Sequence, residues 1–157
     1  MPLYDHHAFF NRLSNQPSHD RLHLAWARRR HQAPSRLCGA RDAVDGPFAV
    51  LNADDFYGRN TFEKLAAHLS KLENGELGDD GVCHCCAVGF KVNKTLTDKG
   101  GCSRGICKVD ENGMLIDLVE THKIEKLGND AQYPDADGNM VFLDGETVVS
   151  MNCWGLG

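Results

Sequence analysis

Residues 47–59 read Pro-Phe-Ala-Val-Leu-Asn-Ala-Asp-Asp-Phe-Tyr-Gly-Arg. Phe48 to Asn52 suit a buried strand and run directly into two carboxylates, Asp54 and Asp55. An aromatic pair and a glycine follow. In open α/β sheets ligands bind beyond the carboxyl ends of strands. Hard Mg²⁺ is commonly held there by one or two carboxylates together with substrate oxygens. Side chains alternate along an extended chain, so the two acids do not both face one ligand. Asp54 is the candidate for the metal, and Asp55 for capping the turn or steadying a neighbour.

Downstream of this stretch the pattern turns helical. Asn60 is placed as an N-cap, with Glu63 as its capping-box partner. Phe62, Leu65, Ala66, Leu69 and Leu72 form one apolar stripe at helical spacing that stops near Asn74-Gly75. Val82–Phe90 is a second apolar run of strand length, expected to be the parallel partner of Phe48–Asn52 across a right-handed crossover. Asn93–Ser103 reads as a polar loop. Gly105–Val109 and Met114–Glu120 read as a hairpin around Asp110-Glu111-Asn112-Gly113. Gly128–Gly138 reads as a polar loop. Met140–Leu143 and Thr147–Asn152 read as short strands around Asp144-Gly145.

Upstream the text differs in kind. Residues 1–40 hold six Arg, no Lys and two Asp, whereas the whole chain carries a net charge of −5. Such asymmetry marks a boundary or a nucleic-acid-binding arm. Phe9, Phe10 and Leu13 suit one short helix and Leu22, Ala25 and Trp26 another, with Pro17 and Pro34 interrupting. Arg28-Arg29-Arg30-His31 is a weak nucleic-acid signal, because no aromatics interleave with it. The expected division is a basic, poorly ordered segment 1–41 of doubtful origin, consistent with an out-of-frame translation, and a folded unit 42–157.

The 157 residues are 41% hydrophobic and 25% charged, as in a globular protein of one domain with a real core. No apolar run approaches the roughly 20 residues of a membrane span. Met1–Leu24 lacks the apolar core of a signal peptide. With seven cysteines, an odd number, the simplest expectation is a reduced, cytoplasmic protein. Cys83-His84-Cys85-Cys86, with Cys102 and Cys107, invites zinc. However, these residues sit within an apolar strand run where alternate side chains diverge, and buried cysteines acting as small hydrophobes read better.

Several motifs in order carry a resemblance. Gly46 to Arg59 is similar to the central metal-site motif of the sugar-phosphate nucleotidyltransferases, the NDP-sugar pyrophosphorylases. The similarity continues through Val88-Gly89-Phe90, Asn93–Leu96, Ser103 to Cys107 and Val109 to Gly113. It then takes in Val119-Glu120, Lys123-Ile124 and Val149 to Gly155. The resemblance implies an incomplete Rossmann-like, GT-A-type α/β/α sandwich with a mixed sheet. It also implies Mg²⁺-dependent attack of a sugar 1-phosphate on the α-phosphate of a nucleoside triphosphate. Carried over by position, Asp54 binds Mg²⁺ and Glu120 accepts from sugar hydroxyls. Lys123 faces the sugar phosphate, and Asn152 approaches the sugar from the last strand. Gly89 permits close approach of substrate. Asn52, Asp55 and Arg104 complete the substrate-binding set, with Arg104 equally suited to closing the loop before Gly105.

That family opens on a strand and a glycine-rich triphosphate loop, which residues 1–46 lack; Gly39 is the first glycine. It also places a second metal-binding aspartate beyond the last strand present. The expectation is a central fragment of a catalytic domain with little or no activity. Two alternatives remain open: a non-catalytic sugar-phosphate or nucleotide-binding remnant, and a zinc- or nucleic-acid-binding module.

Overall fold

The computed structural model describes residues 6–13, 44–75 and 83–156. In chain order these form β1 (His6–Leu13), β2 (Phe48–Val50), α1 (Arg59–Glu73), β3 (Cys83–Lys91) and a 3₁₀ turn (Val92–Lys94). Then follow β4 (Cys102–Val109), β5 (Leu115–Leu127), β6 (Asp130–Pro134), β7 (Met140–Leu143) and β8 (Val148–Leu156). The strands make one sheet in the order β1-β3-β8-β4-β5-β6-β7, with β2 also paired to β8.

Among the described residues every strand pairing is antiparallel. The expected α/β/α sandwich with a mixed sheet is therefore incorrect: the described residues form a mostly antiparallel sheet with one α-helix. The error has a definite origin. Phe48–Val50 and Cys83–Lys91 do run in the same direction, but β8 lies between them and pairs antiparallel with both. Trp154 is opposite Ala87 on one side and Val50 on the other. A continuous apolar run describes burial on both faces and is silent about the direction of its neighbour. The expected end of β8 at Asn152 also hid the segment Cys153–Leu156 that supplies this shared partner.

Other boundaries moved for similarly local reasons. The hairpin turn forms as expected, with Asp110 Oδ1 accepting from the backbone N–H groups of Asn112 and Met114. Strand β5 continues past Glu120 to Leu127 because its last residues leave β4 and pair with β6. The polar segment after Gly128 contains β6, whose Ala131 is fully buried. Phe9, Phe10 and Leu13, read as one short helix, lie instead in His6–Leu13, a strand antiparallel to β3. The helix suggested by Leu22, Ala25 and Trp26, and the arginine run Arg28–Arg30, lie outside the described residues.

The helix begins two residues earlier than expected, and its cap differs. Gly58 occupies the N-cap without a side-chain hydrogen bond, and Glu63 is held by Arg59 Nε at 2.8 Å instead of capping Asn60. Its buried face is Thr61, Leu65 and His68, so Phe62, half exposed, lies off that face. The helix meets the sheet at Gly155, where an added Cβ would stand 2.8 Å from Cys86 Sγ and 3.3 Å from the Leu65 and Leu69 side chains. Beneath and beside it lies one core of Val88, Phe90, Val92, Ile124, Val149 and Cys153, extended by Tyr57 and Met151.

Because that approach leaves no room for a side chain, Gly155→Val should lower stability by about 1–3 kcal/mol through overpacking. Urea unfolding of the variant, followed by circular dichroism, measures this.

Candidate functional site

The site arises where β8 releases its neighbours. Toward its start, β8 pairs with β4 through Val149–Ile106 and Ser150–Gly105; toward its end it pairs with β2 through Trp154–Val50. Between these pairings lie Met151, Asn152 and Cys153, a bulge opposite β3 where the register shifts between Ala87 and Gly89. Asn152 sits there with φ 59°, a left-handed conformation that asparagine tolerates better than most residues. Its N–H donates to Ser150 Oγ at 3.1 Å, so the bulge is held by its own strand. Bulges re-aim side chains and end pairing, and they are frequent beside active sites.

The opposite lip is the end of β2. Extending the β2–β8 register would place Asn52 opposite Asn152, but the bulge removes that rung. The Tyr57 hydroxyl replaces it, accepting from the Asn52 backbone N–H at 2.9 Å and donating to the Met151 carbonyl at 2.9 Å. Tyr57 is 4% exposed and packs tilted on Phe90. Its carbonyl accepts from Thr61 Oγ1 at 2.7 Å, which joins the same residue to the first turn of α1. Burial, opposed in part by the Asn52 hydrogen bond, pushes the Tyr57 hydroxyl up to about 12.

These two lips and the β4–β5 pair enclose a cleft of about 160 Å³. It is lined by Asn52, Asp55, Ser103, Arg104, Gly105, Leu118, Glu120, Ser150, Met151 and Asn152. Asp55 Oδ2 accepts from Asn52 Nδ2 at 2.8 Å, which orients the amide and the carboxylate together. Glu120 comes from β5, opposite Gly105. A Cβ at Gly105 would lie 2.8 Å from Leu118 Cδ2, so the glycine lets the Leu118 side chain lie close against β4 at the cleft wall.

Of the residues singled out from the sequence, Asn52, Asp55, Arg104, Glu120 and Asn152 are brought together in this cleft. Asp54 is exposed beside it, one residue before Asp55. Gly89 is not at the cleft surface: it is buried in β3 opposite Ser150. Lys123 is exposed on a β5 bulge with φ 56°, where the β4–β5 register shifts, and is not among the lining residues. Arg104 lines the cleft but spends Nη1 on the Ser103 carbonyl at 2.8 Å and Nη2 on the Thr95 carbonyl at 2.9 Å, closing the loop before β4.

Sequence reasoning missed Tyr57, Ser103 and Ser150. Tyr57 had a signal, as a large amphipathic ring two residues after the second acid, but the carbonyl it donates to is that of Met151, far along the chain. Nothing in the local sequence marks Ser103 or Ser150 as a site residue.

Five of the cysteines pack as small apolar side chains. Cys85, Cys86, Cys107 and Cys153 are buried and Cys102 is partly so. Burial pushes Cys86 to about 11 and Cys107 and Cys153 to about 12, which favours the neutral thiol over the thiolate a metal requires. Among the described residues no group of three or more His, Cys, Asp or Glu side chains is gathered for a metal ion. Mg²⁺ does not need such a cage, because one or two carboxylates plus substrate oxygens suffice. The exposed Asp54 carboxylate next to Asp55 fits that mode of binding.

No protein-family model and no curated protein sequence matches this chain. Among the described residues, no helix is long and apolar enough to cross a membrane.

Tyr57→Phe should cost about 1–3 kcal/mol, since the Asn52 N–H and the Met151 carbonyl each lose a partner. The wild-type hydroxyl ionises more readily in the unfolded chain, near 10.0, than in the folded one, near 12. Its stabilisation is therefore complete below pH 10 and is lost as pH rises through 12. Melting curves across this interval should show the gap between wild type and variant narrowing.

Proposed function

We propose that the cleft is the sugar-phosphate side of a nucleotidyl-transfer site. The reaction joins a sugar 1-phosphate to the α-phosphate of a nucleoside triphosphate, giving an NDP-sugar and pyrophosphate. One observation carries the reading: Asn52 and Asp55 from one motif of the resemblance, and Arg104, Glu120 and Asn152 from three others, line a single cleft. Unrelated surface positions have no reason to meet at one concavity.

The chemistry of the lining suits a polyhydroxylated ring. The carboxylates of Asp55 and Glu120 accept hydrogen bonds from hydroxyls, and the amides of Asn52 and Asn152 both donate and accept. Asp55 and Asn52 already hold one another, so neither must be reoriented when a sugar enters. The Tyr57 bridge fixes the separation of the Asn52 and Met151 lips. Nucleotidyl transfer asks little covalent chemistry of the protein. An oxygen of the sugar phosphate forms the new bond to the α-phosphorus as the bond to the β-phosphate oxygen breaks, and pyrophosphate leaves. The protein's task is position and charge. Mg²⁺ held by Asp54 would neutralise charge on the reacting phosphates. Asp55, committed to Asn52, serves the sugar instead.

Two substitutions separate these roles. Glu120→Gln keeps the shape of the cleft but loses the charged acceptor, and should weaken binding of hexose 1-phosphates about tenfold in calorimetry with little change in melting temperature. Asp54→Asn should leave that binding intact and abolish Mg²⁺-dependent pyrophosphate release from mixtures of a nucleoside triphosphate and a hexose 1-phosphate, a release expected to be weak even in wild type because residues 1–46 hold no glycine-rich triphosphate loop. Sugar-phosphate binding in wild type without any pyrophosphate release would make the chain a binding protein, not a transferase. Absence of both would overturn the reading.

A further inference from the structure

At the β4–β5 edge of the cleft stands a pair that the residues above leave unexplained. Ser103 Oγ lies 2.8 Å from His122 Nδ1, joining β4 to β5 at the cleft wall. Ser103 lines the cleft, and both residues are exposed to solvent. The backbone of Ser103 is tied as well, since its carbonyl accepts from Arg104 Nη1 at 2.8 Å. A surface serine with its main chain and its hydroxyl both held has little rotational freedom left to lose on binding.

The charge pattern of the cleft says which part of a sugar phosphate belongs there. Asp55 and Glu120 would repel a phosphate dianion and favour hydroxyls. Arg104 is the one cation among the lining residues, and two of its nitrogens turn to the carbonyls of Ser103 and Thr95. The wall formed by Ser103 and Arg104 is thus the least acidic part of the lining. With its proton on Nδ1, His122 donates to Ser103 Oγ, which leaves the serine hydroxyl proton free to point at an acceptor in the cleft.

We propose that Ser103 is the phosphate-binding residue of the cleft and that His122 is its positioning residue, aiming the hydroxyl at a phosphate monoester. This rests on the sugar-phosphate reading of the cleft, but it makes a separate claim about which end of the ligand lies at β4. His122 acts through Ser103 and is not itself among the lining residues. Its neighbours in charge are Glu120 and Lys123 on β5 and Arg104 on β4.

Calorimetry with the full chain separates the possibilities, using hexose 1-phosphates, the corresponding free hexoses and inorganic phosphate as titrants. Ser103→Ala and His122→Phe should each weaken hexose 1-phosphate binding about tenfold, the expected loss for one hydrogen bond to a charged group, while leaving any free-hexose binding unchanged. Ser103→Thr, which keeps the hydroxyl, should restore phosphate-dependent affinity. Equal losses for the phosphorylated and free sugar, or no loss in either, would overturn the assignment while leaving the cleft reading intact. Inorganic phosphate binding that needs Ser103, with no contribution from any hexose, would keep the assignment and overturn the sugar reading. Failure of wild type to bind any titrant would overturn both.

Discussion

One hydroxyl group holds the working part of this molecule together. Where the bulge at Asn152 breaks the ladder between β2 and β8, two backbone groups lose the partners that a regular sheet would supply. The Tyr57 hydroxyl meets both, accepting from Asn52 and donating to Met151. A buried backbone group without a partner costs about as much as a lost hydrogen bond, so the sheet tolerates the interruption only because this side chain fills it. The interruption in turn makes the cleft. Asn52, Asn152 and Ser150 line it because the strands part there, and α1 starts where it does because Thr61 is bonded to the carbonyl of the same tyrosine.

The sheet also divides labour along β8. One half is held by pairing with β4 and the other by pairing with β2, and the chemistry-bearing side chains lie between them. Val149 and Cys153, on either side of Asn152, are fully buried. A local irregularity anchored at both ends by core residues holds its polar side chains within a narrow range, which recognition of a small hydroxylated ligand requires. Helix α1 braces this region from one face through the close contact at Gly155.

Much of the element order was legible in the amino-acid text. The helix after Gly58, the hairpin around Asp110–Gly113 and the strand at Met140–Leu143 follow from periodicity and turn chemistry, which act over a few residues. The direction of strand pairing was not legible. Phe48–Val50 and Cys83–Lys91 are equally apolar whether their neighbour runs parallel or antiparallel, and a helix between them favours the parallel answer until β8 is seen between the two. The helix face was misread at Phe62 and Ala66 for a related reason: a stripe of apolar residues marks the faces able to bury, and packing against Gly155 selected the face that carries Thr61 and His68 instead.

By itself the sequence determined the chemical inventory: two acids at a strand end, a glutamate and asparagines within ordered motifs, and enough apolar residues at strand and helix spacing to form the elements. These properties depend on residue type and short-range spacing, which the linear text contains. Only the tertiary structure decided that Asn52, Asp55, Arg104, Glu120 and Asn152 share one cleft, that Gly89 and Lys123 do not line it, that Ser103 and Ser150 do, and that Tyr57 bridges its lips. Those outcomes depend on which strands become neighbours and where a ladder breaks. Both are set by competition among distant segments for the same hydrogen-bonding edges and the same core, and no local pattern records the result.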